Sequence, residues 1–315
     1  VQRNLSKILQ TAYLTHPILA QHNVGFSHPE CPERLSAIRD RLIAAGIWDH
    51  LLHETAEKVS LPLLQSVHTP AYLAKLSKIA PPDGVTYLDV DTAMNPYTLE
   101  AAFYAAGAAQ KAVDMVMQTQ VQNAMCAVRP PGHHAGADYA MGFCFFNNVA
   151  IAARHACDRY GIDRVLIVDF DVHHGNGTED IFCEDPRVLM VGIFQHPFFP
   201  YTGDIPKGHN MLNVPLPQFS KGELFRDIVS EVWIPAIEDF RPQLIIISAG
   251  FDAHIEDEMA SCMLVEADYA WVTKQIMQIA TQYAEGRIVS ILEGGYNLSA
   301  LGRSVTEHLR VLAGL

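Results

Sequence analysis

The sequence predicts an α/β fold: a single-domain, doubly wound sheet, mostly parallel and flanked by helices, covering residues 1–315. Three observations carry this. Short apolar runs rich in β-branched residues, each bounded by Gly, Pro or charge, recur along the chain. Longer stretches with apolar residues three or four apart lie between or beside them, and strand alternating with helix builds a parallel sheet with helices on both faces. No internal repeat, low-complexity tract or Gly/Ser linker divides the chain, and an apolar content of 49% over 315 residues suffices for one large core.

The elements follow in order. "TLEAAFYAAGAAQKAVDMVMQ" (Thr98–Gln118) is Ala-rich with helical spacing of its larger apolar residues. "AMCAV" (Ala124–Val128) reads as a buried strand leading into "RPPGHHAG". "NNVAIAARHACDRYG" (Asn147–Gly161) is a helix with Asn as N-cap and Gly161 as its stop. "VLIVDF" (Val165–Phe170) is a strand leading into "DVHHGNG", and "VLMVGIF" (Val188–Phe194) is another ahead of "QHPFFPYTGD". A helix is predicted near Gly222–Phe240, then the strand "LIIIS" (Leu244–Ser248) ahead of "AGFDAH". A helix over Glu266–Ala284, the strand "IVSIL" (Ile288–Leu292) ahead of "EGGYN", and a helix over Ser299–Ala313 complete the series. Each strand delivers a polar cluster at its carboxyl end, where doubly wound sheets bind ligands. One shared site explains that placement better than five separate accidents.

Bulk properties narrow the function. A formal charge of −13 argues against a nucleic-acid binder and suits cationic substrates such as lysine-rich peptides or polyamines. There is no run of about 18 apolar residues, so no membrane span is expected, and the N-terminal "VQRNLSKILQTAYL" lacks the apolar core of a signal peptide. Six cysteines without a CxxC pair read as reduced core thiols, and a cytoplasmic location follows as the expectation. Homo-oligomerisation is left open.

The clusters point to a metal. Asp171 and His173, two apart behind a strand, project to one face if the extended geometry persists. Asp252 at an equivalent strand end supplies a third ligand. An Asp2His set with an open position suits a hydrolytic zinc, though iron or manganese would also be accepted. His133 and His134, behind two prolines and a glycine, suit acid–base groups held near a metal-bound water. Asp169 and Asn176 are candidates to orient them. Tyr296, behind a glycine pair, can aim a phenol at a developing oxyanion. Taken singly, each has a plainer reading as a cap, a turn or a structural histidine; together they describe metal-assisted hydrolysis of an amide.

In order along the chain, "HPECPERLSAI" (His28–Ile38), "RPPGHHA", "GFCFFNN", "DFDVHHGNGTED", "FFPYTGD", "NVPLP", "AGFDAH" and "EGGYN" resemble the zinc-dependent histone deacetylase superfamily. The likeness is to its class II-like members and to bacterial histone deacetylase-like amidohydrolases. It implies the arginase/deacetylase fold and one catalytic zinc on Asp171, His173 and Asp252. It further implies His134 as general base and then acid, His133 as an electrostatic neighbour oriented by Asp169, and Asn176 facing the second histidine. Tyr296 matches the carbonyl-polarising tyrosine. Gly142, Phe143 and Phe199 match the walls of an acyl-lysine channel, Met259 its rim, and Asp91 the loop aspartate that holds the substrate backbone. A potassium ion at Asp169, Asp171 and His173 is also implied, with Gly192 where a Ser hydroxyl is usual. His174 receives no chemistry and is expected to be structural.

The implied activity is removal of acetyl or related acyl groups from lysine side chains of a protein or peptide. Hydrolysis of acetylated polyamines is the alternative. A Glu at the position of Met259 favours polyamines in one relative, so Met259 tilts the reading towards acyl-lysine, while Glu256, Asp257 and Glu258 beside it keep polyamines open. Arginase-type chemistry would need more aspartates than "AGFDAH" supplies, and a non-catalytic binder would need a broken site.

Overall fold

The computed structural model describes residues 10–315; residues 1–9, most of the stretch read above for a signal peptide, lie outside them. The strands are β1 (Thr11–Thr15), β2 (Leu52–Thr55), β3 (Thr86–Tyr87), β4 (Ala93–Met94), β5 (Asn123–Cys126), β6 (Val165–Asp169), β7 (Val188–Gln195), β8 (Met211–Leu216), β9 (Leu244–Ala249) and β10 (Ile288–Leu292). Eight form one sheet in the order β2-β1-β5-β10-β9-β6-β7-β8, and every pairing in it is parallel. The short β3 and β4 pair separately and antiparallel.

The five predicted strands are the centre of this sheet and begin within one residue of expectation. Each is buried at every position, as a strand covered on both faces must be. Three strands of this sheet escaped the reading, as did the short β3 and β4. β2 ("LHET") lies at an edge with alternating exposure, and β8 carries Pro215, which an edge strand tolerates. β1 is only five residues long and follows a polar stretch.

The helix Asn148–Tyr160 starts and stops as predicted: Asn147 Oδ1 accepts from Ala150 N at 2.9 Å, and Gly161 ends it at φ 64°. The helix expected over Gly222–Phe240 is broken by a π turn at Val229–Trp233, immediately before a segment with Pro235 in its first turn. Proline cannot donate to the preceding turn, so the helical register slips there. Helices Glu33–Ala44, Leu61–Val67, Pro70–Ile79 and Asn176–Phe182 were not predicted. One core packs helices Thr98–Met117 and Asn148–Tyr160 on one face of the sheet, and a second packs Glu266–Tyr283 and Leu298–Leu312 on the other. The sheet is thus a rigid floor whose carboxyl ends all open on one side.

Buried His68 braces that side. Its Nδ1–H donates to Gly136 O at 2.9 Å and its Nε2 accepts from Asn147 N at 2.9 Å, so the neutral ring is satisfied. A second ring proton would face an N–H. Burial accordingly holds its pKa down at about 4, against the opposing pull of the Gly136 and Ala137 carbonyls. The unfolded chain binds this proton near 6.5, so the stability His68 contributes is whole above that pH and is lost as pH falls towards 4. A shift of this size corresponds to about 3 kcal/mol. Unfolding free energy is expected to fall more steeply from pH 7 to 4.5 in the parent than in His68→Gln; equal slopes would refute this.

Candidate active site

Three donors converge beyond the ends of β6 and β9. His173 Nδ1 lies 3.1 Å from Asp171 Oδ1 and 3.1 Å from Asp252 Oδ2, and one ligand atom from each residue falls within 4.8 Å of the others. All three side chains are buried. Backbone N–H groups hold the carboxylates in place. Asp171 accepts from His173 N (2.9 Å) and Gly294 N (2.8 Å), and Asp252 Oδ1 accepts from Val172 N at 3.0 Å. A Cβ on Gly294 would stand 2.1 Å from Asp252 Oδ2, so only glycine lets this turn approach so closely.

The electrostatics suit a cation. Burial opposes charge on His173, but its hydrogen bonds to Asp171 and Asp252 overcome it and lift its pKa to about 10. Burial and then the Asp171 charge push Asp252 up to about 6. Two carboxylates gathered on one imidazole nitrogen will hold a proton there or, in its place, a metal ion. One nitrogen and two oxygens in a buried, fixed set fit a divalent ion of the zinc type.

The tandem histidines differ in character. His133 Nδ1 donates to Asp169 Oδ2 at 3.0 Å. Burial disfavours its charge, yet Asp171, Asp169 and Glu293 raise its pKa to about 10. His134 moves the other way, well below the ordinary value, through burial and then the charges of His133 and His173. Its Nδ1 lies 2.7 Å from Asn176 Oδ1. Asn176 Nδ2 donates to the Tyr139 hydroxyl at 3.1 Å, and Tyr139 in turn donates to Asp180. That chain turns the Asn176 oxygen to His134, so Nδ1 carries the proton and Nε2 is left as a lone pair.

A cavity of about 180 Å³ leads to these groups, lined by Asp91, His134, Gly142, Phe143, His173, Phe198, Phe199, Met259 and Tyr296. Every predicted channel residue is therefore on its wall. His133, Asp169, Asn176, Asp171 and Asp252 stand behind it. Gly142 adopts φ +53°, and a Cβ there would lie 2.5 Å from the His134 ring. The Tyr296 ring meets Phe143 edge-on at 5.8 Å and lies beneath the Arg34 guanidinium at 4.9 Å. Burial and then Asp252 raise the phenol well above its usual pKa, so it is an O–H donor.

Sequence reading missed several neighbours. Phe198 stacks on His173 at 5.7 Å. Glu293 is fully buried, accepts from Gly132 N (2.6 Å) and His133 N (3.1 Å), and is pushed by burial to about 7. Its signal was a carboxylate directly behind an apolar strand, where an unpaired acid is rare. Arg34, Tyr139 and Asp257 could not be tied to the site from spacing, because Arg34 reaches Glu293 O and Gly295 O, Tyr139 meets Asn176 and Asp180, and Asp257 holds Tyr296 N, all distant in sequence. His174 stays off the cavity wall: its ring bridges Thr202 Oγ1 (3.0 Å) and Glu179 (3.1 Å), fastening the loop after Phe199. Gly192 pairs with Asp169 across β6 and β7, and a Cβ there would meet Asp169 O at an unstrained 3.7 Å. The absent serine is therefore not a steric requirement.

Residues 28–312 match the family model described as the histone deacetylase domain. The chain belongs to the histone deacetylase family. Among its relatives, the chloroplastic histone deacetylase 14 of Arabidopsis thaliana is 37% identical over 91% of this chain and 73% of that protein. A polyamine deacetylase of Mus musculus is 38% identical over 96% of this chain and 48% of its own length. The crystal structure of the HDA15 HD domain superposes with a TM-score of 0.91 at 34% identity, covering 97% of this chain and 88% of that one. Membership in the histone deacetylase family makes the protein a hydrolase of the deacetylase type, and the all-parallel eight-stranded sheet is the family's architecture.

Proposed function

We propose that the protein is a zinc-dependent amidohydrolase that removes acetyl or related acyl groups from lysine side chains. The carrying observation is that the Asp171–His173–Asp252 donors, the His134 lone pair and the Tyr296 phenol converge at one Phe-walled cavity. Zinc held by the three donors supplies a Lewis acid for the acyl carbonyl and lowers the pKa of the attacking water. His134 takes that water's proton at Nε2 and later returns it to the leaving amine. Cationic His133, fixed by Asp169, offsets negative charge beside it. Tyr296 donates its O–H to the oxyanion of the tetrahedral intermediate. Gly142, Phe143 and Phe199 sheathe the aliphatic stem, and Asp91 at the cavity wall accepts from the substrate backbone. A potassium ion near Asp169, Asp171 and His173 would accompany the zinc with one hydroxyl ligand fewer. Six unpaired thiols suit a reducing compartment such as the cytosol.

Acetylated polyamines are the second reading, favoured by the mouse relative. Two of the three acids beside Met259 weaken it: Glu256 pairs with Arg303 at 2.7 Å, and Asp257 is buried and occupied by backbone N–H groups. Glu258 is exposed and is the one acid of the three left open to a polyammonium. Turnover of an acetyl-lysine peptide against N-acetylspermidine and acetylputrescine decides between them. An inert peptide with processed polyamines would reverse the proposal. Placing a carboxylate at the rim with Met259→Glu is expected to shift that ratio about tenfold towards the polyamines, the worth of one partly screened charge pair. An unchanged ratio would remove Met259 from the specificity argument.

A further inference from the structure

The turn that presents Tyr296 is fastened at each step. Glu293 N donates to Ala249 O at 2.9 Å, and Glu293 O accepts from Arg34 Nη2. Gly294 N donates to Asp171, and Gly294 O accepts from Phe251 N at 3.0 Å. Gly295 O accepts from Arg34 Nε at 2.7 Å. The next two N–H groups, of Tyr296 and Asn297, both donate to Asp257 Oδ2, at 2.6 and 3.0 Å. Asp257 Oδ1 accepts from Met259 N at 3.0 Å, and the side chain is buried.

We propose that Asp257 is a positioning residue for Tyr296, locking the phenol in register with the Met259 rim. The inference rests on the amide-hydrolysis reading above. Three N–H donors meet the two oxygens of one side chain, and only a carboxylate presents acceptors to all of them. An asparagine would turn an NH2 group towards at least one N–H and leave it unsatisfied in a buried place. The same loop carries Asp252 five residues earlier and Met259 two residues later, so metal donor, anchor and rim form one piece of chain. Glu256 reinforces it: its backbone O accepts from Asn297 Nδ2 at 3.0 Å. The fastening matters because an oxyanion donor must stand within hydrogen-bonding distance of an atom that is charged only in the transition state. A displacement of about 1 Å can cost about a hundredfold in rate.

The test is a double-mutant cycle with Tyr296→Phe on an acetyl-lysine peptide, with zinc content measured throughout. Asp257→Asn is expected to lower kcat about tenfold to a hundredfold with KM nearly unchanged and zinc retained. In the Tyr296→Phe background the same change is expected to alter kcat by less than about twofold, since the phenol it positions is gone. Equal losses in both backgrounds, or a loss that follows zinc, would overturn the proposal. Asp257→Glu, which keeps the charge one methylene farther out, serves as the second variant if the first does not fold, with the same pattern expected. A 3-fluorotyrosine at position 296 adds a readout independent of turnover: one narrow 19F resonance in the parent, broadened or doubled in the Asp257 variant. An unchanged line refutes the positioning role. If the parent hydrolyses no acyl substrate, the functional reading fails, and the 19F result still decides whether Asp257 orders Tyr296.

Discussion

Asp252→Asn is expected to strip zinc from the purified protein and to lower kcat/KM about a thousandfold or more, because both the Lewis acid and the acidified water depend on the ion. The substitution is nearly isosteric, so the fold should survive it. Asn can still accept the Val172 N–H that Asp252 Oδ1 accepts at 3.0 Å. What changes is the other terminus. The oxygen 3.1 Å from His173 Nδ1 becomes an NH2 group, which satisfies that nitrogen directly and repels a cation. Zinc per chain after gel filtration, and melting temperature with and without added zinc, check the claim. The parent should be stabilised by zinc through mass action and the variant should not. One zinc per chain in Asp252→Asn would sink the assigned donor set. The Asp252 carboxyl, held up at about 6 by burial and Asp171, adds a pH signature: below that value a proton competes at Asp252 as well as at His173, so zinc retention should weaken more steeply as pH falls through it.

The site was more legible in the sequence than the fold around it, and the reason is local chemistry. Asp171 and His173 sit two apart, and His133 and His134 are adjacent, so each pair is placed by a few backbone angles that Gly and Pro signals announce. The central strands β6, β9 and β10 are nearly continuous apolar runs because both faces are covered, which makes them easy to read. β2 and β8 lie at the edges, where exposure and Pro215 blur the pattern, and β1 is only five residues long. Helix Asn176–Phe182 begins within the "HHGNGTED" stretch, whose glycines and acids read as loop. The groups that fix the active residues were harder still. Glu30 reaches Arg129 across 99 residues, and Asp257 reaches Tyr296 across 39. Such contacts are made by the sheet order, which brings β5, β10 and β9 side by side from distant parts of the chain. Spacing alone carries no record of them.

Tyr296→Phe should lower kcat about a hundredfold to a thousandfold, or about 3–4 kcal/mol of barrier, the usual cost of one oxyanion donor. Little else should move. The ring keeps its edge contact with Phe143 and its place under Arg34, and no protein hydrogen bond to the phenol oxygen is lost among the described residues. KM, zinc content and melting temperature are therefore expected to stay close to the parent's. The phenol pKa is raised by burial and Asp252, so Tyr296 remains a donor through the neutral and mildly alkaline range, and deleting it should scale the pH–rate profile without moving its limbs. The contrast with His134 is informative. Its pKa is depressed by burial and by the charges of His133 and His173, so its substitution should alter the acid limb of the profile as well as its height. A Tyr296→Phe variant with full activity would take the oxyanion role from Tyr296 and leave it to the metal alone. A variant inert towards substrate but still holding zinc would exclude a protein that merely binds acyl-lysine, because the two proteins differ only in the one O–H aimed at the bond to be broken.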